Sequence, residues 1–375
     1  MKAPIYRDYQ ATTPLAPEVA AAMRPWLETG FANPHSSHRL GREAAAAIEV
    51  ARGKIGEALG GDLGKVYFTS GATEAINWAL KGVAARLPSE RRRVVALATE
   101  HAAVLDTVEY LAGAGFDVEI LPVRPDGLVD PAVVRAALAR PTGLVAAMLV
   151  NNEIGVIQPI GEIGRLAKAA GALFLCDEVQ GFGRAPLPYE YSDLVAISAH
   201  KVHGPKGIGA LWVREGVELD PLLHGGGQEG GLRSGTLSPA LCVGFGEAAR
   251  LLLERAAEDQ AHVERLWDMT LQLMTGWTLN GSAGDRYKGN LNIRRDGVDA
   301  ARLISELRGI AFSAGSACAS GSGRPSHVLA ALGLTDPEAR SSIRLGFGRY
   351  TTEAELVEAA SLINSAADRH LRFAP

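Results

Sequence analysis

The stretch that decides the fold is LVAAMLVNNEIGVIQPIGEIGRLAKAAGALFLCDEVQ, residues 144–180. It contains an apolar run from Leu144 to Val150, a stretch of helical period from Ile163 to Ala170, and a second apolar run from Leu173 to Cys176. Neither run alternates with polar residues, which is typical of strands that are buried on both faces. A strand, a helix and a second strand in this order predict a parallel sheet that is covered by helices.

The same alternation continues on both sides of this unit, from about residue 60 to about residue 215. Four more β-branched runs predict strands, at Val66–Thr69, Val94–Ala98, Val118–Val123 and Leu194–Ser198. A stretch of helical period lies between the first two of them, at Glu74–Arg86. In parallel sheets ligands bind outside the carboxyl ends of the strands. We therefore look for functional side chains directly after each predicted strand.

The last third of the chain has a different pattern. A long helix is predicted around Leu251–Met274, with acidic and basic residues four positions apart and apolar residues in stripes. Shorter elements follow it: a strand at Asn290–Ile293, helices near 300–307 and 328–332, a strand at Ser342–Phe347 and a final helix from Thr352. This order predicts a smaller α+β domain, with the boundary in or near the long helix.

Composition narrows the possible classes of protein. With 375 residues, of which 47% are hydrophobic and 21% charged, the chain is expected to form a globular protein of two domains. A formal net charge of −4 argues against nucleic acid or a membrane surface as a partner. The three cysteines, Cys176, Cys242 and Cys318, have neither paired nor metal-ligand spacing. Because no apolar signal segment or bilayer-length run is found either, we expect a cytoplasmic protein.

Polar side chains follow the predicted strands at the expected ligand edge. They are Thr73, His101, Asn152, Asp177, Gln180, Ser198, His200 and Lys201. Each has an ordinary alternative role, because Thr73 could cap a helix, His101 could be structural and Asn152 could belong to a turn. Taken together, however, their positions at one edge of a sheet favour a shared site.

Two lysines compete for a catalytic role. Lys201, at the end of a strand, is either a surface cation or a desolvated amine suited to Schiff-base chemistry. Lys206 lies further into the following loop, and we expect it to point away. Asp177, at the end of the preceding predicted strand, is a carboxylate in an apolar setting and calls for a cationic partner. Such a carboxylate can keep a pyridine nitrogen protonated.

Two further functions complete the pattern of the predicted site. The Ser-Gly-Ala-Thr turn that opens the helix after residue 69 suits a phosphate, together with Ser198 and His200. Arg344, in a predicted strand of the small domain, suits a carboxylate, although a surface salt bridge is an equally good interpretation. The whole set matches pyridoxal 5′-phosphate (PLP) bound to an amino acid.

Two glycine-rich stretches remain. FSAGSACASGSGRPS, residues 312–326, holds Cys318 among small residues, so it is either a connecting loop or a mobile arm that carries a reactive thiol. LLHGGGQEGGLRSGTLSP, residues 222–239, indicates close backbone approach, a subunit contact or a flexible loop.

The ordered motifs resemble those of one family along nearly the whole chain, from DYQATTP at residue 8 to GRYTTEAE at residue 348. Between these two lie FTSGATE, EHAAVLDT, VNNEIGVIQPI, SAHKVHGPKGIGAL, HGGGQEGGLRSGT and GSACASG. The chain resembles the group I cysteine desulfurases of the class V, fold-type I PLP-dependent aminotransferases. The resemblance implies a large α/β domain at 15–257, with a mostly parallel seven-stranded sheet. It also implies a small α+β domain at 1–14 and 258–375, which carries the cysteine loop.

The resemblance assigns roles to the residues at the strand ends. Lys201 forms the imine with PLP and moves the proton on the substrate Cα. Asp177 meets the pyridine nitrogen, Gln180 meets the ring hydroxyl, and His101 stacks on the ring and acts as an acid and base. Cys318 is the catalytic cysteine.

The remaining roles concern the phosphate and the substrate. The phosphate contacts implied by the resemblance are Ala72, Thr73, Ser198 and His200. Thr236 reaches the phosphate of the neighbouring subunit, which implies a homodimer. Asn152, which also lies against the cofactor, and Arg344 bind the substrate carboxylate.

The implied activity converts L-cysteine to L-alanine and leaves a persulfide on Cys318. A sulfur acceptor or an iron–sulfur scaffold protein then collects the sulfur. No resident metal is expected, although Cys318 could contact an iron–sulfur cluster transiently. The alternatives are a selenocysteine lyase, another class V PLP enzyme such as an aminotransferase, and a non-catalytic sulfur carrier or scaffold. An aminotransferase has no need of a thiol on such a loop, which we expect to be poorly ordered without substrate.

Three residues depart from the family pattern. Glu178 stands beside Asp177 where a small residue is usual, so we expect it to point away from the cofactor. Gly346 replaces a serine in the last predicted strand. Ala314 replaces a hydroxyl residue at the start of the cysteine loop. These departures bear on the choice of acceptor and on rate more than on the type of reaction.

Overall fold

A computed structural model of the chain describes residues 4–61, 63–314 and 326–372. Its strands in chain order are β1 Ile5–Tyr6, β2 Gly64–Thr69, β3 Arg93–Leu97, β4 Asp117–Leu121, β5 Leu144–Met148, β6 Leu173–Asp177, β7 Leu194–Ser198, β8 Gly209–Arg214, β9 Thr278–Leu279, β10 Asn290–Arg294, β11 Ile310–Ala311 and β12 Ser342–Gly346. Its α-helices are α1 Pro17–Glu28, α2 Arg39–Ala58, α3 Ala72–Ala84, α4 Ala102–Gly113, α5 Pro131–Ala137, α6 Ile160–Ala169, α7 Pro239–Leu273, α8 Ala300–Glu306, α9 His327–Ala331, α10 Asp336–Arg340 and α11 Glu353–Arg372.

The central sheet has seven strands in the order β2-β8-β7-β6-β5-β3-β4. The pairs from β7 through β6, β5 and β3 to β4 are parallel. Strand β8 runs antiparallel to both of its neighbours, β2 and β7. The predicted α/β class and the mostly parallel seven-stranded sheet are therefore confirmed.

The two faces of the sheet pack against different helices, as the pleat requires. Val95 and Val145 point into a core with α1, α2, α6 and α7, whereas Val94 and Leu144 point into a core with α3 and α4. Burial on both faces explains why these strands are continuous apolar runs. Edge strand β4 is the exception, with Ile120 42% exposed, because it has a neighbour on one side only.

Helix α7 begins twelve residues earlier than the periodicity indicates, at Pro239. Ser238 caps it and a proline occupies the first turn. Two glycines obscure the pattern of this first part. A Cβ at Gly246 would lie 2.7 Å from Cα of Ala51 in α2, and one at Gly244 would lie 2.6 Å from the sulfur of Met23 in α1. The glycines let three helices pack closely.

A third core lies at the other end of α7. Leu266 and Trp267 of α7 pack there with Leu291 of β10, Leu345 of β12 and Ile5 of β1. Strand β1 pairs in parallel with β11, so the N-terminal segment lies among C-terminal elements. Strands β12, β10 and β9 form an antiparallel sheet beside them. The exact division at residues 14/15 and 257/258 stays a prediction.

No helix within the described residues is both long enough and apolar enough to cross a membrane.

Candidate functional site

A cavity of about 790 Å³ opens at the carboxyl ends of the parallel strands. Ten of the predicted site residues line it: Ala72, Thr73, His101, Asn152, Asp177, Gln180, Ser198, His200, Lys201 and Arg344. Two others are not among its lining residues. Thr236 is exposed elsewhere in the described chain, and Cys318 lies outside the described residues.

Lys201 follows β7 and its amine is held by the N-terminal segment. Its Nζ donates hydrogen bonds to the carbonyl oxygens of Gln10, at 2.6 Å, and Ala11, at 2.9 Å. Burial lowers the pKa of the Lys201 amine to about 8, and the positive charges of Arg344 and Arg184 act in the same direction. Near neutral pH a larger fraction of this amine is therefore neutral than of an exposed lysine, and imine formation requires the neutral amine.

Lys206, which we expect to point away, also lines the cavity, so that expectation is wrong. It is an exposed side chain, whereas Lys201 is more enclosed. Desolvation lowers the pKa of an ammonium group and so favours the neutral, nucleophilic amine. Lys201 is therefore the better nucleophile of the two.

Asp177 ends β6 and its side chain is buried, 4% exposed. Its Oδ1 accepts a hydrogen bond from the backbone N–H of Val179 at 2.9 Å. Burial raises the pKa of the Asp177 carboxyl, against the opposing influence of His101, the Val179 N–H and Lys201. A carboxyl in this position gains from a cationic partner in the cavity, such as a protonated ring nitrogen.

His101 is the N-cap residue of α4. Its Nδ1 accepts a hydrogen bond from the backbone N–H of Ala103 at 3.0 Å. In the neutral imidazole the proton therefore sits on Nε2. The capping bond fixes the ring at the mouth of its helix, where the ring lines the cavity.

The turn between β2 and α3, where we predict an anion-binding element, lies at the cavity. Ala72 and Thr73 are the first residues of α3, whose first-turn N–H groups have no acceptors within the helix. The backbone is closely packed here, because a Cβ at Gly209 would lie 2.7 Å from the carbonyl carbon of Gly71. Ser198 and His200 approach from the end of β7.

His200 is held in its neutral form. Its Nδ1 lies 3.1 Å from the Thr12 hydroxyl oxygen. Burial lowers the pKa of the His200 imidazole to about 4, and the charges of Lys201 and Lys206 add to the effect. At neutral pH the ring is therefore a hydrogen-bonding group without charge.

Arg344 lies in β12 and is almost completely buried, 1% exposed. Its Nη2 donates to Oδ1 of Asp8 at 2.7 Å, and its Nη1 donates to the carbonyl oxygen of Asn152 at 2.9 Å. The alternative of a surface salt bridge is therefore wrong. The guanidinium is oriented at the cavity, where it is positioned to meet a carboxylate.

Among the lining residues that sequence patterns missed are Gln10 and His327. The carbonyl oxygen of Gln10 accepts both the Lys201 amine and Nε2 of Gln180, the latter at 2.8 Å. His327 begins α9, and its Nε2 lies 2.9 Å from the carbonyl oxygen of Glu100. Gln10 acts through its backbone, so its residue type carried no signal. His327 directly follows the cysteine loop, and that position was the available clue.

The departures from the family pattern have structural explanations. Glu178 is absent from the described lining of the cavity, as expected, and accepts a hydrogen bond from the Tyr189 hydroxyl at 3.1 Å. A Cβ at Gly346 would lie 2.7 Å from the backbone nitrogen of Tyr9 and would overlap the side chain of Gln10. Ala314 is half-buried against the third core, where an apolar side chain suffices.

The described residues on both sides of the Cys318 segment contact the site. Ser313 forms an antiparallel bridge with Arg344, and the Arg344 N–H donates to the Ser313 carbonyl oxygen at 2.7 Å. On the far side, the Ser326 hydroxyl caps α9 and bonds the Glu153 carboxylate. The chain that holds Cys318 therefore leaves and rejoins the described structure at this cavity.

The donor set fits PLP. The cavity offers an amine for the aldehyde, a buried carboxyl for the ring nitrogen, and a helix N-terminus with a hydroxyl for the phosphate. No cluster of three or more metal-ligating side chains occurs within residues 4–61, 63–314 and 326–372.

The chain is similar to known proteins along nearly its whole length. The family model described as Aminotransferase class-V matches residues 5–358. A protein named Cysteine desulfurase IscS from Rickettsia bellii is 45% identical over 99% of this chain and 93% of its own length.

The chain is also similar to solved structures. One titled NIFS-LIKE PROTEIN superposes with a TM-score of 0.91 at 33% identity, over 98% of this chain and 100% of that one. Another, titled SspA in complex with cysteine, has a TM-score of 0.83 at 36% identity, over 92% of this chain and 99% of that one. The chain therefore belongs to the class-V aminotransferase family, together with the cysteine desulfurases that it resembles along nearly its whole length.

Proposed function

We propose that this protein is a cysteine desulfurase, which uses PLP to remove sulfur from L-cysteine and gives L-alanine and a persulfide on Cys318. The observation that carries the proposal is the cavity that brings together the Lys201 amine, the Asp177 carboxyl and the Arg344 guanidinium. The similarity to proteins named cysteine desulfurase supports the same activity.

Bound PLP supplies an electron sink for the carbanion at the substrate Cα. Lys201 would hold PLP through its amine, and the same amine would take the proton from the substrate Cα and give it back. Its pKa of about 8 suits this exchange, because the amine takes up and gives back a proton near working pH. Asp177 holds the ring-nitrogen proton in place.

The groups around the ring orient it. His101 would stack on the ring, and its Nε2 proton would be available for exchange with substrate because Nδ1 accepts a hydrogen bond from the Ala103 N–H. Gln180 would meet the ring hydroxyl through its amide, whose oxygen accepts from Arg184 at 2.9 Å. The N–H groups of Ala72 and Thr73 would hold the phosphate, with Ser198 and His200 beside them.

The substrate carboxylate binds Arg344 and Asn152. Arg344 is already oriented by Asp8, so little side-chain entropy remains to be lost when the carboxylate binds. This contact fixes Cα near Lys201 and Cβ–S toward the segment that carries Cys318. The Cys318 thiolate attacks the substrate sulfur, and the electron pair of the Cβ–S bond stays with the carbon that becomes the methyl group of alanine.

Further parts of the proposal extend beyond one chain. Thr236 reaches the phosphate of the neighbouring subunit in a homodimer. The persulfide passes its sulfur to an acceptor or an iron–sulfur scaffold protein in the cytoplasm, with transient contact between Cys318 and the cluster. The large domain spans 15–257, and the small domain comprises 1–14 and 258–375.

The test compares the wild type with Cys318→Ala and with Cys242→Ala, which removes a buried thiol of α7 as a matched control. Each purified protein receives L-cysteine or L-selenocysteine together with a thiol reductant, which reduces the persulfide and releases its outer sulfur, and alanine, sulfide and selenide are measured. We expect yellow protein, equal alanine and sulfide from the wild type and the control, and neither product from L-cysteine with Cys318→Ala.

Other outcomes support other functions. Turnover of L-selenocysteine that survives in Cys318→Ala, without turnover of L-cysteine by any of the three proteins, indicates a selenocysteine lyase. A keto acid in place of alanine indicates an aminotransferase. Colourless protein without turnover indicates a carrier or scaffold.

A further inference from the structure

A second cavity, of about 460 Å³, lies behind the wall of the PLP site, and we call it the back cavity. Three chain segments form the shared wall, since each has a residue that lines the PLP site and, within four positions, a residue that lines the back cavity. The pairs, with the PLP-site residue first, are Gln10 and Tyr9, Gln180 and Arg184, and Lys201 and His203. The segment of the imine-forming lysine thus faces both cavities.

The back cavity contains two guanidinium groups without an acidic partner among the described residues, Arg184 and Arg286. Its other cations are already neutralised, because Arg349 pairs with Asp259 at 2.6 Å and Lys288 lies 3.7 Å from Glu264. The lining therefore carries an excess of two positive charges. An excess of this kind in an enclosed space favours an anion.

Arg286 is 5% exposed and is held by backbone oxygens, including that of Ser282 at 2.8 Å. Its guanidinium lies over the Trp267 ring at 4.8 Å, and its Nε has no hydrogen-bond partner in the described chain. Burial lowers the pKa of Arg286 to about 10, which reflects the cost of an unpaired cation. Backbone oxygens satisfy the Nη atoms of Arg286 but do not neutralise its charge, so an anion in the adjoining cavity would be stabilised.

Arg184 connects the back cavity to the PLP site. One of its nitrogens donates to the carbonyl oxygen of Lys201, and another donates to Oε1 of Gln180 at 2.9 Å. The guanidinium also lies over the ring of Tyr287 at 5.1 Å. A ligand that offsets the charge of Arg184 therefore changes the electrostatic environment of Lys201. It does so both through space and through the hydrogen bond from Arg184 to the Lys201 carbonyl oxygen.

Apolar side chains line part of the back cavity. Ile157, Leu252 and Val263 line it, with Ala256 exposed on α7 beside them. Its volume suits a small organic molecule rather than a bare ion. Cationic and apolar groups in one enclosure match a carboxylate that is attached to an apolar body.

We propose that the back cavity binds a small organic carboxylate, which pairs with Arg286 and Arg184 and thereby modulates Lys201. The effect on Lys201 rests on its proposed role as the imine-forming residue, whereas binding itself does not. The charges that act on Lys201 are Arg344, Arg184, Asp8 and Asp177. A carboxylate at Arg184 offsets one of the two positive ones, so the nitrogen bound to PLP keeps its proton to higher pH.

The binding experiment titrates benzoate into the PLP-loaded protein by calorimetry, with benzyl alcohol and inorganic phosphate as separate probes. We expect saturable one-to-one binding of benzoate and none of the other two. Arg286→Gln removes a charged hydrogen-bonding group and should weaken benzoate binding on the order of tenfold to a hundredfold.

Because Arg286→Gln could also disturb folding, a second pair of variants tests the position directly. Ala256→Trp places a bulky side chain at the cavity from an exposed helical position, and should abolish benzoate binding. Ala257→Trp makes the same change one residue along α7, at an exposed position outside the described lining, and should bind benzoate as the wild type does.

The coupling experiment follows the visible absorption of bound PLP against pH. Benzoate should raise the pH midpoint in the wild type and in Ala257→Trp, but leave it unchanged in Ala256→Trp. The proposal is overturned by benzyl alcohol that binds as well as benzoate, by phosphate that binds in place of benzoate, by equal binding in all variants, or by a midpoint that stays fixed at saturation. Failure of the proposed function is seen separately, as protein that lacks PLP or makes no alanine.

Discussion

Replacement of Glu178 by glutamine tests the electrostatics beside Asp177. Glu178 is 1% exposed, and its carboxyl accepts a hydrogen bond from the Tyr189 hydroxyl. Burial raises the pKa of this carboxyl from 4.5 to about 8, and Asp177 pushes it in the same direction against the influence of Tyr189. Folded Glu178 is therefore protonated at neutral pH, and glutamine resembles that neutral form in size and shape.

The sign of the pH effect follows from this raised pKa. Between 4.5 and about 8 the unfolded chain has lost the proton of Glu178 and the folded chain still holds it. The contribution to stability is complete below pH 4.5 and is lost as the pH rises through about 8. The loss is about 1.4 kcal/mol per pH unit, hence at most about 5 kcal/mol across the window. Glutamine has no proton to lose, so the variant escapes this loss.

The assay is the melting temperature of the PLP-loaded proteins from about pH 5 to about pH 8. We expect the difference between Glu178→Gln and wild type to grow steadily in favour of the variant as the pH rises. Glu100, whose burial raises its pKa to about 8, titrates equally in both proteins and cancels. Glu109→Gln, at an exposed position of α4, should run parallel to the wild type. If the melting temperature of Glu178→Gln also ran parallel to that of the wild type across this pH range, the raised pKa of Glu178 would be refuted.

Three further predictions concern the site. Arg344→Gln should lower kcat/KM for L-cysteine by about tenfold to a hundredfold, because a charged contact to the substrate carboxylate is lost. The absorbance of bound PLP should not change. Steady-state kinetics measure kcat/KM, and an unchanged value would contradict the proposed carboxylate contact of Arg344. Gly209→Ala should weaken PLP binding, since its Cβ would overlap the backbone of Gly71 in the turn before α3. Equilibrium titration with PLP measures the affinity, and equal affinity of variant and wild type would contradict a role for this turn. Gly346→Ser restores the usual family residue but should destabilise the fold by about 1–3 kcal/mol, because the new side chain overlaps Gln10, and so lower the melting temperature. Adding Gln10→Ala should recover part of the lost stability. A Gly346→Ser variant as stable as the wild type would contradict the overlap.

The central sheet could be predicted from the sequence because its strands are buried on both faces. Such strands are continuous apolar runs, and the turns between them and their helices carry recognisable polar residues. The same locality made Asp177, Ser198 and Lys201 identifiable, since each lies at the end of a strand or within three residues of it.

Other features depend on contacts between distant parts of the chain. Asp8 and Arg344 are 336 residues apart in sequence and form an ion pair at 2.7 Å. The contact of Lys201 with Gln10 and the pairing of β1 with β11 are equally remote. No local pattern contains this information. The first part of α7 was hidden for another reason, because glycines needed for close helix packing interrupt its helical signal.

The most direct test of the account is a mass measurement on the protein after it meets L-cysteine without reductant. The peptide that contains Cys318 should gain the mass of one sulfur atom, in step with the alanine released, and the peptides of Cys176 and Cys242 should stay unchanged. Alanine released without added sulfur on Cys318, or sulfur found on another cysteine, would contradict the assignment of Cys318 as the sulfur acceptor.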